Sequence, residues 1–310
     1  MTKSADELLK IDASATAQGI EKYMRDAVDK NGAKGIALGV SGGLDSAVVA
    51  PLAVRALGKD KVHIYFVNSK ECDHESQVMA RLVADWLGLK LNIESVEAVM
   101  RKKEESTSFF KRLNKLPPSV ISALESLYYW IMGETVYMTS LRKSEFKDGS
   151  FKKWLYENMI KDIVTMFDGV SIERRKLLEG ICKKENWVLI GAGNGSETKT
   201  GWFNIGGLDD MPYSPIGDLY KTQVRQLAEY LDVPVEIRNR KPIPDGLQGV
   251  TDASVLSMGY EKADIILYGI EHKLKDEEML QYGLTKNEIE RMRKISTLSA
   301  WKRTAGAARA

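Results

Sequence analysis

Residues 35–46 read Gly-Ile-Ala-Leu-Gly-Val-Ser-Gly-Gly-Leu-Asp-Ser, and the chain runs on as Ala-Val-Val-Ala-Pro-Leu-Ala-Val-Arg-Ala-Leu to residue 57. The opening GIALGV (35–40) is short and almost wholly apolar, as a strand buried on both faces of a parallel sheet must be. The stretch after Ser46 has helical spacing and ends at Gly58, a favourable C-cap position. Between strand and helix lies the octet Gly39, Val40, Ser41, Gly42, Gly43, Leu44, Asp45, Ser46. Amides left over at a helix start, with the helix dipole behind them, attract anions. Glycines let phosphate oxygens approach the main chain without a Cβ in the way. Ser41 and Ser46 add hydroxyl donors. Asp45 repels a bare phosphate, but it fits if it holds a Mg²⁺ that bridges to pyrophosphate oxygens. The bland alternative is a plain strand–helix corner with Asp45 as N-cap, and it leaves the full octet unexplained. No GxxxxGK[ST] occurs, which disfavours γ-phosphoryl transfer of the Walker kind.

Outward from the octet the same rhythm repeats. VHIYFV (62–67), LNIESV (91–96) and WVLIGAG (187–193) read as further buried strands, and HESQVMARLVADWLG as a helix ending at Gly88. Residues 4–30 read as one amphipathic helix or two. Pro51 is expected to kink or shorten its helix unless it falls in the opening turn. The βαβαβ order predicts an α/β fold, a doubly wound parallel sheet flanked by helices, with its ligand site at the carboxyl ends of the strands. Residues 101–165 break the rhythm. They hold ten of the 25 aromatic residues and twelve Lys/Arg against eight Asp/Glu. That density predicts an ordered helical insertion acting as lid, subunit interface or extra core, within a single domain spanning 1–310.

Composition narrows the class. Of 310 residues, 44% are hydrophobic and 28% charged, so the chain is neither disordered nor membrane-like. Forty-five bases against 43 acids give no whole-protein drive toward nucleic acid or an anionic membrane. No uncharged apolar run nears the roughly 20 residues of a spanning helix, and the first residues lack a signal peptide's pattern. A cytoplasmic location is expected. Two cysteines (Cys72, Cys182) and three histidines exclude a disulfide framework and make a His-rich transition-metal site unlikely.

A second glycine cluster, Gly191-Ala192-Gly193-Asn194-Gly195-Ser196-Glu197, also follows a strand. Glu197 is a candidate second carboxylate for Mg²⁺; alone, it reads as an acid in a first helical turn. Farther on, PIGDLYKTQVR (215–225) offers Asp218 as a helix cap and Lys221 as a point charge for phosphate, a solvated lysine being the ordinary alternative.

The octet resembles the SGGxDS signature of the PP-loop ATP pyrophosphatases, which cleave ATP between the α and β phosphates. GAGNGSE with PIGDLYKTQVRQLAEYLDVP is similar to the central block of ammonia-dependent NAD synthetases. GVTDASVLSMGYEKADIIL resembles that family's later segment, and Ala300-Trp301-Lys302-Arg303 its terminal His-Lys-Arg element. The likeness covers residues 35–100 and 172–303. It implies adenylation of the nicotinate carboxylate of deamido-NAD by ATP, then amidation by ammonia, with AMP and pyrophosphate released. It further implies that Gly39 to Ser46 and Ala192 hold ATP, that Asp45 and Glu197 bind Mg²⁺, and that Lys221 contacts ATP. Asp45 and Lys221 are thus the candidate catalytic residues. Arg175, or Arg174 beside it, would grip the dinucleotide phosphates, and Trp301 and Lys302 would contact the dinucleotide from the tail. A homodimer is the family expectation.

Departures fall mainly on the acyl-substrate half. Ala192 stands where the family has Thr, Ile205 and Pro212 where it has a Lys and an Asp, Pro244 where it has Ser/Thr, and Trp301 where it has His. Asp209 and Asp210 offer a replacement acid. Two other readings follow: a related ligase acting on a different carboxylate, and a PP-loop enzyme whose basic insertion grips tRNA. The four-charge excess of the insertion is small, so no nucleic-acid partner and no membrane are expected. The chain has no room for a glutaminase domain beside this core, so free ammonia or a separate partner is the expected nitrogen source.

Overall fold

The computed structural model describes residues 5–69, 74–104, 113, 115–142, 146–147, 149–240 and 250–307. Four parallel strands carry the fold: β1 (Gly35–Gly39), β2 (Val62–Asn68), β3 (Leu91–Ser95) and β4 (Trp187–Ile190). Each falls on a run expected from the sequence, β2 continuing one residue past its run to Asn68. Their order across the sheet is β3-β2-β1-β4, with Ile36 opposite Val62 on one side of β1 and opposite Val188 on the other. Strand order therefore reverses at β1, and in open α/β sheets that switch point opens a crevice at the strand carboxyl ends.

The pleat sends alternate side chains to two cores. Ile36, Leu38, Ile64, Phe66, Val188 and Ile190 face one layer, built from α1 (Ala13–Lys30), α2 (Leu44–Leu57) and α3 (His74–Leu87). Ala37, Tyr65, Val67 and Leu189 face the other. Pro51 does not shorten α2, which continues through it to Leu57. Ala47 to Ala53 are all buried there, so core packing holds the helix despite the missing amide.

After α4 (Glu97–Glu104), the insertion contributes α5 (Pro118–Met132), α6 (Val136–Leu141) and α7 (Phe151–Leu155). A single π-turn, Tyr156–Ile160, leads from α7 into α8 (Lys161–Glu185), which passes residue 165 without a break. Glu134, between α5 and α6, is the staple: it receives Arg142, Lys152 of α7, and Lys294 from near the C-terminus. The aromatics divide. Tyr137 is buried, whereas Trp130 is 81% exposed and Phe151 and Trp154 also face solvent.

The helices that matter next are α9 (Gly195–Thr200), α10 (Lys221–Tyr230), α11 (Asp252–Leu256), α12 (Tyr260–Glu271), α13 (Lys286–Leu298) and α14 (Ala300–Ala307), with short single turns at Ala5–Leu8, Val235–Arg238 and Asp276–Leu280 besides. Among the described residues no helix is long and apolar enough to cross a membrane.

Candidate active site

Both glycine-rich loops leave the two strands at the switch point, one from β1 and one from β4. In the first, Gly43 and not Asp45 is the N-cap of α2, and the first helical bond runs from Ala47 N–H to Gly43 O (3.2 Å). The amides of Leu44, Asp45 and Ser46 precede that bond, the arrangement that favours an anion. Ser46 Oγ–H donates to Gly43 O (3.1 Å) and accepts from Ser41 N–H (3.3 Å), bracing the turn. Gly42 has φ +78°, and a Cβ there would lie 2.4 Å from Ser76 O of α3, so only glycine fits.

In the second loop Asn194 caps α9 in a capping box. Its Oδ1 accepts from Glu197 N–H (3.0 Å), and its own N–H donates to Glu197 Oε2 (3.1 Å). The ordinary helix-start role of Glu197 is therefore real, yet it coexists with a second one. Asn194 Nδ2–H donates to Asp45 Oδ1 (3.2 Å), which ties the two loops together. A Cβ on Gly193 would meet Asp209 O at 2.7 Å, because the 204–212 segment folds against this loop.

Lys221 closes the cluster from a third element. It is the first residue of α10, only 4% exposed, and its Nζ donates to Asp45 Oδ2. The helix cap is Tyr220, whose N–H donates to Gln223 Oε1 (3.0 Å). Asp218 is exposed and does not cap α10, a correction to the spacing argument; the chain turns once more before the helix starts.

Electrostatics single out this corner. Burial, then the Asp45 charge, drives the Glu197 carboxyl well above the usual carboxylate range. Burial opposes the charge on Lys221, but Asp45 and Glu197 outweigh it and raise the ammonium further. Asp252 adds a third acid, raised by burial while Lys221 pulls the other way. It accepts from Tyr260 OH (2.9 Å) and Trp202 Nε1–H (3.3 Å). In the sequence Asp252 reads as an ordinary first-turn acid behind the Thr251 cap, so nothing local marks it as part of this cluster. Arg240 was also missed. Its Nη1–H donates to Gly42 O (3.3 Å) and its Nη2–H to Ser76 Oγ (3.0 Å).

A cavity of about 700 Å³ opens above these residues and runs toward α5, α7 and α8. Ala192, Asp209, Arg174 and Lys302 line it; Arg175, Ile205, Pro212 and Trp301 do not. Arg174 Nη2–H donates to Ser69 Oγ (3.2 Å). Arg175 instead pairs with Glu179 (2.6 Å) and donates to Asp210 O (2.7 Å), so of the two candidate arginines the cavity takes Arg174. Trp301 Nε1–H donates to Leu141 O (3.0 Å) and ties the tail to the insertion. Lys302 Nζ donates to Gly201 O (2.6 Å) and to Phe203 O. Asp209 accepts from Asn204 Nδ2–H (3.1 Å), and Asp210 from Gly206 N–H (2.8 Å), so both acids help fold their own loop. Pro244 lies outside the described residues, as does Cys72.

The NAD synthase model matches residues 16–117 and 160–306. The chain belongs to the NAD synthase family. The match pauses over residues 118–159, where α5, α6 and α7 lie. An NH₃-dependent NAD⁺ synthetase of Coprothermobacter proteolyticus is 31% identical over 278 residues, 87% of this chain and 89% of that one. Two solved structures share the fold at 20% identity. An NH₃-dependent NAD synthetase from Campylobacter jejuni has a TM-score of 0.64, covering 94% of this chain and 96% of the other. An NMN synthetase from Francisella tularensis has a TM-score of 0.67, covering 95% and 97%. The resemblance read from the octet and the 191–225 segment is thus met, and with it the doubly wound fold and the ligase class.

Proposed function

We propose that this NAD synthase family ligase joins ammonia to the nicotinate carboxylate of deamido-NAD, using ATP and releasing NAD, AMP and pyrophosphate. One observation carries the reading: Asp45, Glu197 and Lys221, from three elements, meet at the switch point beside an amide-rich helix start. The Leu44–Ser46 amides and Ser41 are arranged to receive the β- and γ-phosphates. Lys221 neutralises charge that grows on the departing pyrophosphate as the substrate carboxylate attacks the α-phosphorus. The apolar wall beyond Gly193 keeps water from the acyl-adenylate until ammonia attacks its carbonyl carbon and AMP leaves.

A Mg²⁺ fits these residues. Two carboxylates held together, one of them driven up by burial and by its neighbour, present hard oxygen donors. Mg²⁺ is usually bound by one or two carboxylates together with substrate phosphates and water. Asp45 and Glu197 would hold it, and it would supply charge stabilisation to the phosphates. With only two cysteines in the chain, and Cys182 a buried free thiol, a reducing compartment such as the cytoplasm is the reading supported.

The exposed Leu127, Trp130, Ile131, Phe151 and Trp154 support a homodimer through the insertion. Leu127, Ile131 and Phe151 also line the cavity, so a second copy seated there would cover its apolar end. The family-model gap over 118–159 supports reading the insertion as an addition within one domain.

A second reading, a different acceptor carboxylate, is favoured by one observation: Arg175 and Trp301 are engaged with protein partners away from the cavity. The test is to incubate the protein with ATP, Mg²⁺ and ammonium, with deamido-NAD or nicotinate mononucleotide, and to follow product mass and pyrophosphate. NAD formed only with deamido-NAD supports the main reading; amidation of the mononucleotide alone replaces it.

A further inference from the structure

Asp264 sits on α12, away from the cavity lining, and is fully buried at 0% exposure. A buried carboxylate is costly unless its oxygens are bonded, and both of these are. Oδ1 accepts from Ser196 Oγ–H (2.5 Å), and Oδ2 accepts from Thr222 N–H (2.8 Å). Ser196 Oγ in turn accepts from Lys221 N–H (2.8 Å). One carboxylate thus binds the second residue of α9 and the first turn of α10 at once. Ser196 directly precedes Glu197, and Thr222 directly follows Lys221.

A backbone bond, from Gly195 N–H to Leu219 O (2.7 Å), joins the same two helix starts. Their separation decides how far Glu197 stands from Lys221 and Asp45. A ligand site of this kind tolerates errors of only about 0.5 Å. We propose that Asp264 is a positioning residue: through Ser196 and the α10 amides it fixes the spacing of the Glu197 and Lys221 turns, and so sets affinity for the metal–ATP complex. The inference rests on reading Asp45, Glu197 and Lys221 as the ATP end of the site.

Asp264→Asn keeps the shape but removes the charge and one of the two accepting oxygens, which weakens both charge-assisted bonds of the bridge. Ser196→Ala removes the arm through Ser196 and leaves Asp264 in place. Binding of Mg²⁺ with α,β-methylene ATP is measured by calorimetry at several Mg²⁺ concentrations, beside thermal unfolding and steady-state kinetics. Each variant is expected to weaken binding of the Mg²⁺–analogue complex about 10-fold and to lower kcat, with KM for the acyl substrate changed less than about 3-fold. The double variant is expected to add little to either single one, because both act through one bridge. If Asp264→Asn does not fold, Ser196→Ala carries the test. Lowered thermal stability with unchanged analogue binding in a folded variant overturns the proposal. Failure of the unaltered protein to bind the analogue instead overturns the reading of the ATP site.

Discussion

The two ends of the cavity are built on opposite principles. At the β1/β4 end, charged and polar groups reach across elements: Asn194 to Asp45, Lys221 to Asp45, Ser196 to Asp264. At the insertion end the walls are Leu, Ile, Met and Phe, and several of them continue onto the outer surface of α5 and α7. The insertion end has its apolar groups on a face that water meets, which is costly for side chains as large as Trp130 and Phe151. On the function proposed above, the prebuilt polar end serves the step that ATP undergoes and the apolar wall serves the acyl substrate.

The largest expected effect breaks the polar end. Asp45→Asn removes a charge that faces Lys221 and, by our reading, Mg²⁺, and it should cost pyrophosphate formation about 10³-fold or more. Glu197→Gln should do the same. Both are checked by coupled pyrophosphate release with circular dichroism to verify folding. Normal turnover in either would remove the polar end from catalysis.

Next comes the staple of the insertion. Glu134 is 1% exposed, and although burial pushes its carboxyl up, the hydrogen bonds and charges of Arg142 and Lys152 outweigh this and hold it at about 2. The folded value lies below the unfolded 4.5, so the stabilisation is whole above about pH 4.5 and is lost as pH falls toward 2. Over that window it amounts to about 3 kcal/mol. Urea unfolding of Glu134→Gln should show a flatter acid limb than the unaltered protein. Identical limbs would mean that the insertion is held by packing instead.

At the apolar end the test is association. Trp130→Ser and Phe151→Ser remove exposed side chains, so monomer stability should move by no more than about 0.5 kcal/mol. If a second copy covers this face, each should weaken the dimer about 30-fold by analytical ultracentrifugation. A chain that is monomeric before substitution would leave the apolar end without its occupant.

What the sequence disclosed follows the same division. Strands and glycine loops were legible because each is a local pattern; Glu197 and Lys221 had ordinary local readings, and it was the family resemblance that grouped them with Asp45. Gly42 needs φ > 0, Asp45 follows the helix cap by two residues, and Glu197 sits three after Asn194. Lys221 was found with the wrong cap, since loop length between Asp218 and α10 leaves no periodic trace. Asp252 and Asp264 were passed over because their roles depend on where α11 and α12 pack. In a linear reading each is one more acid near a helix start. Pro51 misled because burial of a whole helix outweighs the propensity of one residue.

The smallest effect sharpens the boundary between the two ends. Arg174 and Arg175 are neighbours on α8, yet a helix turns about 100° per residue and sends them to different places. Arg174 faces the cavity beside Ser69, while Arg175 is spent on Glu179 and the Asp210 carbonyl. A guanidinium that meets a dinucleotide phosphate supplies a charge-assisted bond, and its loss should raise KM for the acyl substrate about 10-fold. Arg174→Ala should therefore raise that KM with KM for ATP unchanged, whereas Arg175→Ala should change it less than about 2-fold. The reverse ranking would mean that the 204–212 loop, which Arg175 anchors, rearranges when substrate arrives and brings Arg175 with it. The apolar end would then be a site assembled on binding, in contrast to the prebuilt polar end.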